Sequence, residues 1–276
     1  MAIRDVLLPL IGDATRSTTA AIEKSVAMAA ALDARITALA LETEADALPP
    51  TIADVLGATE IVQTTPTARA LLAAFQVAVT RSGARGAQKL EHTSIAGLID
   101  AIAREGRLKD LSVLPIKSND SFCEKLVERL LFETGRPVLM CPEASADTLG
   151  AVFKDVAIAW DHTAPAARAV GDALPLLKAA AQVQIVTATD RATDAQRTSG
   201  ADLQRHLAEH GIKAQLDTVG IGGSSVGKVF EAYVDANAVD LLVMGGYRHS
   251  PLNQWLWGGM TNTIINEPPC WVMLSR

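Results

Sequence analysis

Aromatic residues are scarce, at 4% of 276 residues. The core must therefore be assembled from Ala, Leu, Val and Ile, a composition that suits helices packed on a parallel sheet. Cysteine is nearly as rare, with only Cys123, Cys141 and Cys270. An odd count without a spaced framework argues against a disulfide scaffold and fits a reducing compartment. No Cys-x-x-Cys or Cys/His spacing points to a zinc centre. Basic runs are missing too, and the formal net charge is -6, from 31 acidic and 25 basic residues. Phosphate-backbone affinity needs clustered Lys and Arg, so no nucleic-acid partner is expected. The apolar runs fall far short of the roughly 20 residues of a membrane helix. Met1-Ala2-Ile3-Arg4-Asp5 leads straight into an apolar segment, without the basic start and cleavage site of a secretory leader. The expectation is a cytoplasmic protein with no membrane partner.

What the chain does have is 49% hydrophobic residues, enough for two cores of ordinary domain size. It also repeats itself. Arg4-Asp5-Val6-Leu7-Leu8-Pro9 resembles Lys154-Asp155-Val156-Ala157-Ile158-Ala159. Lys109-Asp110-Leu111-Ser112-Val113-Leu114-Pro115 resembles Val239-Asp240-Leu241-Leu242-Val243-Met244-Gly245. Pro137-Val138-Leu139-Met140-Cys141 parallels Trp271-Val272-Met273-Leu274-Ser275. The anchors keep their order but not their spacing: 105 residues separate Asp5 from Asp110, and 85 separate Asp155 from Asp240. The surplus in the first copy is expected over 42–66, where Pro49-Pro50 breaks the helical period. A small, polar stretch near 143–151 reads as the linker, which gives domains 1–144 and 151–276.

The second copy reads as strand 156–160, helix 164–180, strand 183–188, helix 193–210, strand 214–219, helix 225–237, strand 240–244, helix 258–266 and strand 272–274. Thr163 is a candidate N-cap, Pro165 sits early in its helix, and Gly211 ends the next one. Strands alternating with helices predict an open parallel sheet covered on both faces, with right-handed crossovers. Ligands of such sheets bind at the carboxyl ends of the strands, where the strand order switches. The loops after Trp160 and Met244 are those places.

Gly245-Gly246-Tyr247-Arg248-His249-Ser250 follows the fourth strand, and Gly258-Gly259-Met260-Thr261 opens the last helix. Glycines allow close backbone approach, and a helix N-terminus offers free N–H groups, so the pair forms an anion cradle. At the other loop, the Asp161 carboxylate can accept from a ribose hydroxyl or an adenine amino group. These residues resemble the universal stress protein family in its tandem form. Its nucleotide-binding members carry Gly-x2-Gly-x9-Gly-(Ser/Thr) after the fourth strand and an Asp after the first. Gly245 matches the first glycine, Gly258 the third, and Asp161 the aspartate. Arg248 stands in place of the second glycine and Gly259 in place of Ser/Thr. Arg248 either obstructs the backbone approach or grips phosphate oxygens bidentately. Thr261, Ser250 or the Gly259 N–H replaces the missing hydroxyl.

The resemblance implies two tandem five-stranded α/β/α domains of Rossmann-like, adenine-nucleotide α-hydrolase-like type, forming an intramolecular pseudo-dimer through 138–140 and 272–274. A homodimer of tandem units stays open. It also implies ATP or AMP at Asp161, Gly245, Gly246, Arg248, His249, Gly258, Gly259, Met260 and Thr261, with Mg accompanying ATP. No enzyme is implied beyond weak ATP hydrolysis. In the first copy, Ile11 replaces Asp161 and Pro115-Ile116-Lys117-Ser118 replaces the glycine loop, so that copy is read as nucleotide-incompetent.

Plainer readings stand beside these. The glycine loop also reads as a tight connection with no ligand, and Asp161 as a helix cap competing with Thr163. His162 and His249 are read as solvated. Gly220-Ile221-Gly222-Gly223-Ser224-Ser225 is a flexible turn with Ser224 as cap, and the cysteines are small buried hydrophobes. Trp255 and Trp257 pack in the core or face a partner. The alternative function is a nucleotide-free interaction module acting through an unknown protein partner. An enzyme of the wider architecture is a third reading. It is disfavoured because Asp161-His162-Thr163-Ala164-Pro165 is not a Ser/Gly-rich pyrophosphate loop and no nucleophile–base set is evident.

Overall fold

The computed structural model describes residues 2–12, 14–43, 65–143, 153–190, 194–246 and 259–276. The chain divides into two compact units, Ile3–Ala151 and Val152–Arg276.

The N-terminal unit runs β1 (Asp5–Leu10), α1 (Arg16–Ala31), β2 (Arg35–Thr43), α2 (Thr65–Ser82), β3 (Arg85–Thr93), α3 (Leu98–Gly106), β4 (Leu111–Ile116), α4 (Ser121–Glu133) and β5 (Val138–Pro142). The C-terminal unit runs β6 (Asp155–Ala159), α5 (Ala164–Ala179), β7 (Gln182–Ala188), α6 (Asp194–Glu209), β8 (Ala214–Val219), α7 (Val226–Asn237), β9 (Leu241–Gly245), α8 (Gly259–Asn266) and β10 (Trp271–Ser275). Strand order is 3-2-1-4-5 in the first unit and 8-7-6-9-10 in the second. The pairings named within each unit are parallel. Each sheet reverses its winding beside its first strand, which leaves a crevice at the carboxyl ends.

The central strands are buried along their length because they are continuous apolar runs. Val156, Ala157 and Ile158 in β6, and Leu241, Leu242 and Val243 in β9, are at most 1% exposed. The helices start where the sequence offers a hydroxyl. Thr163 caps α5 by accepting from the Ala166 N–H, and Ser225 caps α7 by accepting from the Lys228 N–H. The cap of α7 is therefore Ser225 and not Ser224: Ser224 N–H donates to Ile221 O within the turn, at 2.9 Å. Gly222 and Gly223, at φ of 57° and 78°, make that turn.

Several boundaries shift. The first strand of the second copy ends at Ala159, although the Trp160 N–H still reaches Val186 O at 2.9 Å. The insertion expected over 42–66 is narrower than expected. Glu42 and Thr43 belong to β2, with Glu42 pairing with His92 Nδ1 at 2.8 Å, and Thr65 already opens α2. The last helix opens at Gly259. Gly258, Trp255 and Trp257 lie outside the described residues, as does most of the expected linker.

The repeat is visible at atomic level. Asp110 Oδ2 accepts from the N–H groups of Arg4 and Asp5, at 2.8 and 3.0 Å. Asp240 Oδ2 does the same for Lys154 and Asp155, at 2.8 and 3.1 Å. This equivalence makes Ile11 the counterpart of Asp161 and Gly12 that of His162; both Gly12 and His162 are left-handed, at φ of 82° and 62°. From the end of the strand the two units diverge. Thr163 caps its helix three residues after Trp160, whereas Thr15 does so five residues after Leu10.

Candidate functional site

A cavity of about 410 Å³ opens at the carboxyl ends of β6, β7 and β9 in the C-terminal unit. That volume falls within the range of small-ligand sites. Its apolar surface comes from Trp160, Pro165, Ala188, Phe230, Met244 and Met260. Asp161, His162, Thr163, Thr187, Ser225 and Thr261 provide polar groups, and Gly245, Gly246 and Gly259 bring backbone to the wall. The N-terminal ends of α5, α7 and α8 all reach it, since helix N-termini in a parallel α/β sheet gather on the side where the strands end.

Asp161 is exposed at the rim. Its Oδ1 accepts from both the Thr163 N–H at 3.0 Å and the Thr163 hydroxyl at 2.6 Å. Asp161 thus braces the cap residue and does not cap the helix itself. Among the described residues, no donor meets Oδ2. His162 is exposed, as expected, but it also lines the cavity. Its left-handed backbone turns the chain from β6 into α5.

Trp160, which the sequence pattern puts in a strand, also lines the cavity. It is 8% exposed, and its indole N–H donates to the buried Ser199 hydroxyl on α6 at 2.8 Å. The His162 ring lies 5.9 Å from it, centroid to centroid. A tryptophan directly before the loop aspartate was the available signal, because a large aromatic at a strand's carboxyl end must lie over the crevice.

Gly245 is required by space. A Cβ there would lie 2.6 Å from the Ala166 nitrogen and 2.7 Å from the Pro165 carbonyl carbon, so the start of α5 crosses directly over this backbone. Gly259 differs, since an added Cβ would meet nothing within 4 Å. Gly259, Met260 and Thr261 form the first turn of α8, and among the described residues no side chain accepts from their N–H groups. Thr261 is buried at 6% exposure. Gly246 N–H is committed to Ser275 O at 2.8 Å. The structure therefore brings together Asp161, Gly245, Gly246, Gly259, Met260 and Thr261. Arg248, His249 and Gly258 lie outside the described residues.

In the N-terminal unit, Pro115 stands at the position of Gly245, and its backbone has no N–H to offer. The first turn of α4 is already filled, because Asp120 Oδ1 accepts from the Phe122 and Cys123 N–H groups at 2.8 and 3.2 Å. Glu143 in turn takes the Ser17 and Thr18 hydroxyls at the start of α1, at 3.1 and 3.2 Å. The chain's own carboxylates occupy these helix ends.

A parallel sheet wound 8-7-6-9-10, with a cavity at its switch point, defines a doubly wound α/β fold. The family model described as "Universal stress protein family" matches residues 153–276. Residues 153–276, the C-terminal unit, thus match a universal stress protein domain. The fold extends over the whole chain. A universal stress protein from Archaeoglobus fulgidus is similar over 99% of this chain and 96% of its own, with 13% identity and a TM-score of 0.71. A putative universal stress protein from Pseudomonas aeruginosa covers 99% and 93%, at 13% identity and a TM-score of 0.59. The cytoplasmic domain of a prokaryotic cation chloride cotransporter covers 99% and 95%, at 12% identity and a TM-score of 0.54. No curated protein matches the sequence.

Proposed function

We propose that the C-terminal unit binds one adenine nucleotide, ATP or AMP, and acts by signalling its occupancy in a cytoplasmic stress response. The observation that carries this reading is the meeting, around one cavity, of the rim carboxylate of Asp161 and the open first turn of α8. The apolar wall takes the base by burial. Asp161 Oδ2 accepts from the ribose or the adenine amino group. The backbone at Gly259, Met260 and Thr261 faces the phosphates, where the helix dipole favours negative charge. Arg248, on the connecting segment, adds a cationic partner, His249 adds a phosphate contact, and Mg accompanies ATP. No catalytic role is assigned, and hydrolysis is at most weak.

The N-terminal unit carries a different reading. With Asp120 and Glu143 filling its helix ends, it is proposed as a ligand-free unit serving a protein partner.

Titration calorimetry with ATP, ADP and AMP tests the site. We expect one ligand per chain, with Asp161→Ala weakening it about tenfold or more through loss of a charge-assisted hydrogen bond. The absence of heat and of any thermal shift at millimolar ligand overturns the reading, in favour of an interaction module. Mass spectrometry of small molecules released from the denatured protein identifies the native ligand.

A further inference from the structure

We propose that His206 and His210 form a two-histidine site for a divalent transition-metal ion, with Cu(II) preferred, at the C-terminal end of α6. This site is independent of the nucleotide cavity. His206 lies in the last turn of α6, which spans Asp194–Glu209. His210 continues that turn: its N–H donates to Leu207 O at 3.0 Å, and the next N–H, of Gly211, donates to Ala208 O at 2.9 Å. The two histidines are therefore one helical turn apart on one face. The same spacing lets two histidines of a helical zinc site reach one ion.

The rings are already adjacent. Their centroids lie 4.9 Å apart, at an interplanar angle of 74°. A metal about 2.1 Å from one nitrogen of each ring sits about 3.2 Å from each ring centre. Two centres 4.9 Å apart then subtend about 100° at that metal, between the octahedral angle of about 90° and the tetrahedral angle of about 109°. Rotation about the side-chain bonds is all that aiming the nitrogens requires. Among the described residues, no hydrogen bond or ion pair holds either ring.

Charge favours a cation here. The last turn of a helix presents the negative end of its dipole. Asp202 lies one turn before His206 and is occupied by Arg205. No third His, Cys, Asp or Glu joins the pair among the described residues. The ion would thus keep water at its remaining positions and exchange readily. Imidazole pairs favour Cu(II) over Ni(II) and Zn(II) in the usual order of divalent affinities.

The test titrates the full, tag-free chain with Cu(II), followed by calorimetry and electron paramagnetic resonance. We expect a site with nitrogen hyperfine structure, weakened at least tenfold in both His206→Ala and His210→Ala and unchanged in His92→Gln. Circular dichroism checks that the variants fold, which an exposed helix position at His206 and a half-buried turn position at His210 should permit. Zn(II) should bind more weakly than Cu(II). No Cu(II) binding, binding that survives both alanine variants, or tighter binding of Mg(II) than of Cu(II) overturns the proposal.

Discussion

Asp240 and Asp155 grip each other across the start of the second sheet. The Asp155 N–H donates to Asp240 Oδ2 at 3.1 Å, and the Asp240 N–H donates to Asp155 O at 2.8 Å. Asp110 and Asp5 make the same pair of contacts, at 3.0 and 2.8 Å. A carboxylate just before the fourth strand fixes the register of that strand against the first. Asp240→Ala removes the acceptor for two backbone N–H groups and should cost about 2–3 kcal/mol in urea unfolding. Asp240→Asn keeps one carbonyl acceptor and should cost about 1 kcal/mol.

Gly245 and Gly259 separate steric need from chemical need. Gly245→Ala must displace the start of α5 and should destabilise by about 1–3 kcal/mol, as overpacking does, while also weakening nucleotide. Gly259→Ala meets open space and adds helix propensity, so thermal unfolding should be unchanged or slightly later. Gly259→Ser restores the hydroxyl of the family pattern and should tighten nucleotide binding in calorimetry.

The Trp160–Ser199 hydrogen bond ties the residue after β6 to α6 in the cavity wall. Ser199→Ala leaves a buried indole N–H without its partner, a cost of about 1–3 kcal/mol. Unfolding followed by tryptophan fluorescence measures it. Trp160→Phe with Ser199→Ala removes both polar groups together, and the pair should cost less than the sum of the single changes.

Burial pushes the thiols of Cys123, Cys141 and Cys270 up to about 12. Unfolded thiols titrate near 8.5. The folded protein therefore holds these protons more tightly, and the associated stability is complete below about pH 8.5. It is lost as pH rises towards 12, because the unfolded chain ionises first. Urea midpoints measured from pH 7 to pH 10 should fall steadily above about 8.5. At neutral pH an alkylating reagent should modify Cys141 and Cys270 only after denaturant is added, since both are buried, whereas Cys123 is half-buried.

Much of the fold was legible in the sequence because its signals are local. Apolar runs and alternation marked all five strands of the C-terminal unit. Thr163, Pro165 and Gly211 bounded its helices. What escaped depended on hydrogen bonds between near neighbours. Ser224 and Ser225 are equal as letters, and only the turn built by Gly222 and Gly223 decides which one faces the helix. Asp161 and Thr163 read as rivals for one cap, whereas Thr163 caps the helix and Asp161 braces it by accepting from its N–H and hydroxyl. Trp160 was hidden because a strand pattern assigns a residue to an element but not to the crevice at its end.

The two extra residues between β1 and the cap of α1 set the terms for building the second cavity into the first unit. Replacing Pro115 and Ile11 changes two residue types but leaves the entry helix starting two residues later. Bringing that helix over the fourth strand, as α5 crosses Gly245, takes a deletion together with the substitutions.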